Sequence, residues 1–374
     1  MSAACDSCLR RSWLVARLAG RIELARHERR PLREILALSN DRLLDGVGGD
    51  ARAPIAVELE ELDTAELRRA ADVAGLEVVC QHGAGYPARL LDLADAPAAL
   101  WIAGGCDRLS TLVGGDLEDG PRSVAVVGTR RASAEGLEVA RALGRGLAVA
   151  GVTVVSGMAL GIDSGAHAGA LEGGGRTVAV LAGGADVPYP RTKAMLYAKI
   201  GGVGCVVSEM PPGMRPFAWC FPARNRTIAA LSHMTVVVEA ASRSGSLITA
   251  ELAADLGREV GAVPGPVTTW RSAGANALLR DGATLVRDVR DVLDAVLGVE
   301  GGQAARSLTT PRPPDLEPRL QRLLDAVDAG RDTVGALARH PAEVAEIVAG
   351  LTELELLGTL RRVAGGRYVR RARP

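Results

Sequence analysis

Six short apolar runs recur between residues 123 and 265, separated by Ala- and Leu-rich amphipathic stretches: SVAVVG (123–128), VTVVSG (152–157), TVAVLAGG (177–184), CVVSEM (205–210), TVVVEA (235–240) and REVGAVPG (258–265). They lack the polar alternation of a half-exposed sheet, which marks strands covered on both faces. Strands of that kind with helices between them predict an α/β fold built on a doubly wound, mainly parallel sheet. Such a sheet binds ligands beyond the carboxyl ends of its strands. Every run here ends in that kind of loop: VVGTRRAS, SGMALGIDSGAH, AGGADVPYP, SEMPPGMRPFAWCFPARNR, EAASRSGSLITA and VPGPV. One rim of the sheet therefore gathers glycines, hydroxyls and arginines, with helix N-termini whose amides and dipoles attract anions.

The kind of anion is constrained by what the loops lack. Gly128 is followed by Thr129, Arg130 and Arg131, so the G-x-G-x-x-G of dinucleotide enzymes is absent, and no G-x-x-x-x-G-K-[ST] occurs. A bulky Arg130 obstructs a pyrophosphate pressed against the backbone but suits a fork on an exposed phosphate. The segment FPARNR (221–226) carries Arg224 and Arg226 into an otherwise apolar stretch. Two roles are open for these arginines: gripping a ligand phosphate, or holding the loop through Glu209 or Glu239. Asn225 suits hydrogen bonding to backbone or base, and Arg215 adds a further cation. Trp219 is expected as a stacking platform for a base, and Phe221 as a core plug. Lys193 reads as a solvated helix start. Asp163, at an expected N-cap, and His167 four residues on share a helix face, with no nucleophile or metal partner; a structural role is expected for both.

The flanks are less informative. Residues 1–85 show helical periodicity and read as a small helical domain; residues 298–317 are rich in Gly, Ser, Thr and Pro and read as a linker. Residues 318–374 carry short helices and then a basic stretch with a Gly365-Gly366 turn, the pattern of a winged helix, although PAEVAEIVAGLTELELLG (341–358) lacks base-reading side chains. With 44 basic and 44 acidic residues the net charge is zero, so any nucleic-acid surface is a local patch. There is no signal-peptide h-region and no apolar run long enough to span a bilayer, which points to a cytoplasmic protein with no membrane partner. Cys5 and Cys8 form a C-x-x-C, but the second cysteine pair of a structural zinc site is missing; a metal shared with Cys80 and His82 is outweighed by free thiols, and no metal is expected.

VAVVGTR, VVSGMALGIDSGAH, VAVLAGGADVPYP, SEMPPGMRPFAWCFPARNRTIAALS, VVVEAASRSGSLITAELAADLGREVGAVPG and SAGANALLRDGA resemble, in order and spacing, the successive blocks of the DNA-processing protein A (DprA/Smf) family across roughly residues 80–290. The resemblance implies a Rossmann-like single-stranded DNA-binding domain over 86–297, a SAM-like helical domain before it and a winged-helix-like domain after it. It further implies a protein without catalytic turnover or cofactor that protects incoming single-stranded DNA. That protein would load the RecA recombinase during natural transformation and dimerise through the Rossmann-like domain. The residues assigned to the DNA are Gly128, Thr129 and Arg130 after the first run, Ser156 and Gly157 after the second, Arg215, Trp219, Arg224, Asn225 and Arg226 after the fourth, and Ser244, Gly245 and Ser246 after the fifth. The alternative is an enzyme similar to the nucleotide phosphoribohydrolases of the lysine-decarboxylase-like group. That reading places Thr249 and Glu251 at a helix start, but Ala-Ser-Arg-Ser stands where those enzymes carry a glycine pair.

Overall fold

The computed structural model describes residues 4–114, 120–298, 316–338 and 340–370. They fall into two compact units, Met1–Ser307 and Leu308–Pro374.

All six apolar runs form strands of the first unit: β3 (Ser123–Val127), β4 (Thr153–Ser156), β5 (Thr177–Leu181), β6 (Cys205–Ser208), β7 (Met234–Val237) and β8 (Glu259–Ala262). Three further strands, β1 (Glu77–Cys80), β2 (Ala99–Ala103) and β9 (Thr284–Leu285), complete a nine-stranded sheet of order β1-β2-β6-β5-β4-β3-β7-β8-β9. The pairs from β6 to β9 are parallel, whereas β1–β2 and β2–β6 are antiparallel. The chain runs outward from β3 through β4, β5 and β6, then returns to the other side of β3 as β7. The switch point of the doubly wound sheet therefore lies between β3 and β7, where the fold opens a crevice at the strand ends.

Helices cover both faces, as the unbroken apolar runs require. On one face α8 (Ala134–Val149), α9 (Ile162–Glu172) and α14 (289–298) pack Leu143, Leu147, Ala166, Ala170 and Val292 against Val124, Val126, Val154 and Val236. On the other face α7 (Cys106–Val113), α11 (Cys220–Ala230), α12 (Gly245–Asp255) and α13 (Ala273–Arg280) pack against Ala125, Val155, Val180, Val207 and Val237. The Gly- and Ala-rich composition serves this packing. A Cβ at Gly144 of α8 would lie 2.2 Å from the Ala166 carbonyl of α9, so only glycine allows that backbone approach.

The N-terminal helices, α1 (Asp6–Arg17), α2 (Ala19–His27), α3 (Leu32–Leu36), α4 (Asn40–Val47), α5 (Arg52–Glu61) and α6 (Thr64–Val73), do not stand apart as a bundle. Their core residues Leu14, Leu18, Ile22, Ile35, Leu43 and Ile55 share one cluster with Met210, Trp219, Cys220 and Ala223, so the helices pack onto the ligand rim. The segment read as purely helical also contributes strand β1 to the sheet edge. α10 (Ala194–Val203) completes the helices of this unit.

The second unit holds α15 (Pro318–Asp328), α16 (Val334–Leu337) and α17 (Val344–Leu356), then an antiparallel hairpin of β10 (Leu360–Arg362) and β11 (Tyr368–Arg370). Its turn falls at Gly365 and Gly366, both at positive φ. Two arginines of the basic stretch are paired within the unit: Arg367 with Asp332 and Arg370 with Asp328. Arg371, Arg373 and nearly all of the expected linker lie outside the described residues.

Candidate nucleic-acid interface

The crevice lies where the topology puts it. Its walls come from Gly128 and Arg130 after β3, Ala159 and Asp163 after β4, Phe221, Arg224 and Asn225 at the start of α11, and Ser244, Gly245 and Ser246 at the start of α12. The hollow measures about 270 Å³. A second one of about 80 Å³, lined also by Gly157, Leu181, Ala182, Tyr189 and Pro190, shares Arg130, Phe221 and Arg224 with it. The two hollows form one groove, with these three side chains where they meet.

Arg224 forms the floor. It is 6% exposed, and its Nη1 donates to the Val180 carbonyl at 2.6 Å while Nε has no partner. Burial pulls its pKa down to about 10, opposed by Asp163 and assisted by Arg130, so the guanidinium stays charged at neutral pH. Gly157 leaves the space that the Arg224 guanidinium fills: a Cβ on it would sit 1.8 Å from Nη1 and push that side chain aside. Above the floor, Arg130 is exposed and lies over the Phe221 ring, 5.2 Å from its centroid, with the Tyr189 ring 5.5 Å from that of Phe221. A cation stacked on an aromatic face is a platform for a base and a grip for its phosphate.

The remaining residues divide between lining and bracing. The Asn225 amide donates to the Gly245 carbonyl at 3.3 Å, tying α11 to α12. Ser244 caps α12, its hydroxyl accepting from the Ser246 amide and meeting the Ser246 hydroxyl at 2.7 Å. The Thr129 amide donates to the Glu239 carbonyl at 2.7 Å, and its hydroxyl accepts from the Arg131 amide at 3.2 Å. The Glu239 carboxylate accepts from the Ser133 amide at 2.8 Å; it holds the β3 loop and does not meet Arg224. Arg215 is exposed on the β6–α11 loop.

Three assignments to the DNA change. Trp219 is fully buried: its indole Nε1 donates to the Ala19 carbonyl at 2.9 Å and its backbone amide to Glu23 Oε2 at 2.8 Å. It anchors the helical segment, whereas Phe221, expected as the plug, is half-buried: it packs partly against the same core cluster and lines the groove with Arg130 over its ring. Arg226 is buried against two acids, with Nη2 2.5 Å from Glu209 and Nε 3.1 Å from Asp95, the second contact lacking hydrogen-bond alignment. It is the buttress of the loop. The Ser156 hydroxyl is fully buried and donates to the Val126 carbonyl at 2.7 Å inside the sheet.

Asp163 and His167 have the expected structural roles. α9 is capped by Gly161, so Asp163 stands one residue inside the helix rather than at its N-cap; its carboxylate accepts from the amides of Gly157, at 3.1 Å, and Ala159. Burial raises its pKa, with the Arg224 charge opposing. His167 is buried against Thr177, 2.7 Å from Nδ1, and burial holds it neutral with a pKa of about 3. Glu251 is exposed in the second turn of α12, whereas Thr249 is buried and lines the groove. The helix-start carboxylate required by the phosphoribohydrolase reading is therefore missing.

Comparison with known proteins agrees with this geometry. The profile of the family described as DNA recombination-mediator protein A matches residues 77–297. The chain belongs to that family. Putative DNA processing protein DprA of Mycobacterium tuberculosis is 44% identical over 280 residues, covering 74% of this chain and 67% of that protein. Protein Smf of Escherichia coli is 39% identical over 290 residues, covering 76% of this chain and 75% of that protein. Among solved structures, DprA of Streptococcus pneumoniae superposes with a TM-score of 0.61 at 33% identity, over 77% of this chain and 96% of that one. DprA of Helicobacter pylori, whose structure addresses its single-stranded DNA binding mode, gives a TM-score of 0.51 at 28% identity, over 59% of this chain and 95% of that one. In the groove Asp163 braces the β4–α9 loop through the Gly157 and Ala159 amides, and its charge lies close to Arg224.

Sequence reasoning missed Arg26, Tyr189 and the role of Phe221. Arg26 lines the larger hollow although it belongs to the helical segment. No local signal marks it. The rarity of aromatic residues, with four Tyr and two Phe in the chain, was the available pointer to Tyr189 and Phe221.

Proposed function

We propose that this chain binds single-stranded DNA along the groove at the strand ends and passes it to the RecA recombinase during DNA uptake. The observation that carries this reading is a charged, desolvated Arg224 beneath an exposed Arg130 stacked on Phe221. Phosphate goes to Arg130 and Arg224, with Arg26 at the margin and Arg215 on the neighbouring loop. Bases stack on Phe221 and Tyr189, while Asn225, Ser244, Gly245, Ser246 and the Gly128–Thr129 turn shape the wall. Stacking on a ring face tolerates every base but needs that face free of a neighbouring base pair, so binding is to single strands and independent of sequence. The single-stranded DNA binding of Helicobacter pylori DprA supports the ligand class, and the family's description as a recombination mediator supports the hand-over. The protein acts in the cytoplasm as a homodimer through the sheet domain; no described helix is long and apolar enough to cross a membrane.

The test is equilibrium binding of labelled oligo-dT over a salt series, with and without excess duplex, followed by assembly of RecA on coated single strands. Salt-dependent binding that duplex does not displace, with faster RecA assembly, is the expected result. No binding near physiological salt overturns the DNA reading; binding without any effect on RecA overturns the hand-over alone. Light scattering of the free protein tests the dimer.

A further inference from the structure

Four side chains that take no part in the groove converge at the far end of the helical segment. Cys5 is the N-cap of α1 and Cys8 lies in its first turn. Cys80 ends β1, and His82 follows in a turn closed by the Gly83 amide on the Cys80 carbonyl at 2.8 Å. From the sequence, a metal shared by the C-x-x-C with Cys80 and His82 was outweighed by free thiols; the fold brings the two pairs together across more than seventy residues. Their ligand atoms all lie within 4.8 Å of one another.

The spacing is that of a coordination tetrahedron. His82 Nδ1 is 3.4 Å from Cys5 Sγ and 3.3 Å from Cys8 Sγ, and the sulfurs of Cys80 and Cys5 are 3.9 Å apart. A tetrahedral zinc ion with bonds of about 2.3 Å to sulfur and about 2.0 Å to nitrogen sets edges of roughly 3.8 Å between sulfurs and roughly 3.5 Å between sulfur and nitrogen. These three edges differ from those values by only a few tenths of an ångström, and the other three are no longer than 4.8 Å. A disulfide accounts for the cluster less well, because it joins two sulfurs at about 2.05 Å and leaves the remaining thiol and the imidazole without a role.

The surroundings suit a metal too. Ala4, Leu9, Ala71, Leu76 and Trp101 pack around Cys8 and Cys80, keeping water from the sulfurs. The Cys5 amide approaches Cys80 Sγ at 3.4 Å, the kind of outer contact that settles a thiolate ligand. We propose that Cys5, Cys8, Cys80 and His82 hold one zinc(II) ion. Four protein ligands close the coordination sphere, so the ion is structural. It pins the start of α1 to the end of β1 and so fixes the helical segment to the sheet edge.

The test uses the full chain without a histidine tag, expressed with zinc supplementation and purified under reducing conditions. One zinc per chain by plasma mass spectrometry is expected, together with protection of the part-exposed Cys5 from alkylation that is lost when a chelator is added. Cobalt(II) titrated into the metal-free chain is expected to give the intense visible bands and the sulfur charge-transfer band of a tetrahedral site with three thiolates and one imidazole. His82 is exposed, so His82→Ala is expected to leave the fold intact while lowering zinc affinity at least tenfold. Cys8→Ser is expected to lose the ion altogether. The cobalt spectrum of the unmodified chain decides the matter if Cys8→Ser does not fold. Substoichiometric zinc after reconstitution, a Cys5 thiol alkylated equally fast with and without chelator, a Cys5–Cys80 disulfide or an octahedral cobalt spectrum would each overturn the assignment.

Discussion

Arg226→Ala tests the division of labour between the two arginines of the FPARNR segment. In the intact protein Arg226 sits between Glu209 and Asp95, with side-chain exposures of 7%, 10% and 6% for the three. Removing it strands two carboxylates in one small cavity. Arg11 lines the same cavity, but its guanidinium is tied to the Leu36 carbonyl at 2.6 Å and to Asn40, so it does not replace the lost charge. Breaking a buried pair from one side costs about 3–5 kcal/mol. For a unit of this size a kcal/mol corresponds to about 2 °C, so the melting temperature should drop by about 6–10 °C. The loss should also depend on pH. Burial raises the Glu209 pKa, and Arg226 is the main opposing influence, so the variant raises it further. A carboxyl whose folded pKa is raised binds its proton more tightly in the folded state. Its contribution is complete below the unfolded value and is lost as pH rises through the folded one. The variant should therefore be closest to wild type near pH 5 and furthest from it near pH 8. Calorimetry at both pH values, with oligo-dT binding measured on the folded fraction, checks this. A pH-independent melting temperature within 2 °C of wild type, or a tenfold loss of DNA affinity without a change in stability, would refute the buttress.

Arg130→Ala should do the opposite: the melting temperature stays put, single-strand affinity falls, and the salt slope becomes shallower by about 0.7 for the one lost phosphate contact. Phe221→Ala should weaken oligo-dT binding by about 1–3 kcal/mol, as for a stacking ring, with a small effect on stability. Trp219→Ala should destabilise by about 3–5 kcal/mol while the molecules that remain folded bind normally. If the tryptophan variant loses binding at unchanged stability, the roles given to the two rings are reversed. Gly157→Ala should weaken DNA binding without altering any charge, because the new methyl collides with Arg224; unchanged affinity would show that the position of Arg224 does not matter to the ligand.

The six central strands, their parallel direction and the loops at their ends were legible because each rests on a local property: an unbroken apolar run, then a loop of glycine, hydroxyl or arginine. β1 and β2 were not. Four and five residues long, they sit at an antiparallel edge and carry no signal that separates them from the helical periodicity around them. What the helical segment packs against was hidden for a related reason. An amphipathic face declares that it is buried, but not against what; here the apolar faces of α1, α2 and α4 close over Trp219 and Met210.

The candidate site divides in the same way. That Arg130, Arg224, Asn225 and the α12 start belong to one rim followed from their places after successive strands. Which arginine faces the ligand did not. Arg224 and Arg226 are two residues apart on a helix and so point about 200° from each other. Only the positions of Val180 on one side and of Glu209 and Asp95 on the other decide which is floor and which is buttress. That Trp219 is buried while Phe221 lines the groove was hidden for the same reason, and Cys5, Cys8, Cys80 and His82 became a cluster only through the packing of α1 against β1. By itself the sequence determined the strands, their covering helices and the chemistry of the rim, because propensity and periodicity act over a few neighbouring residues. The tertiary structure decided which charges are paired, which ring is exposed and which sulfurs meet, because those depend on contacts between residues far apart in the chain.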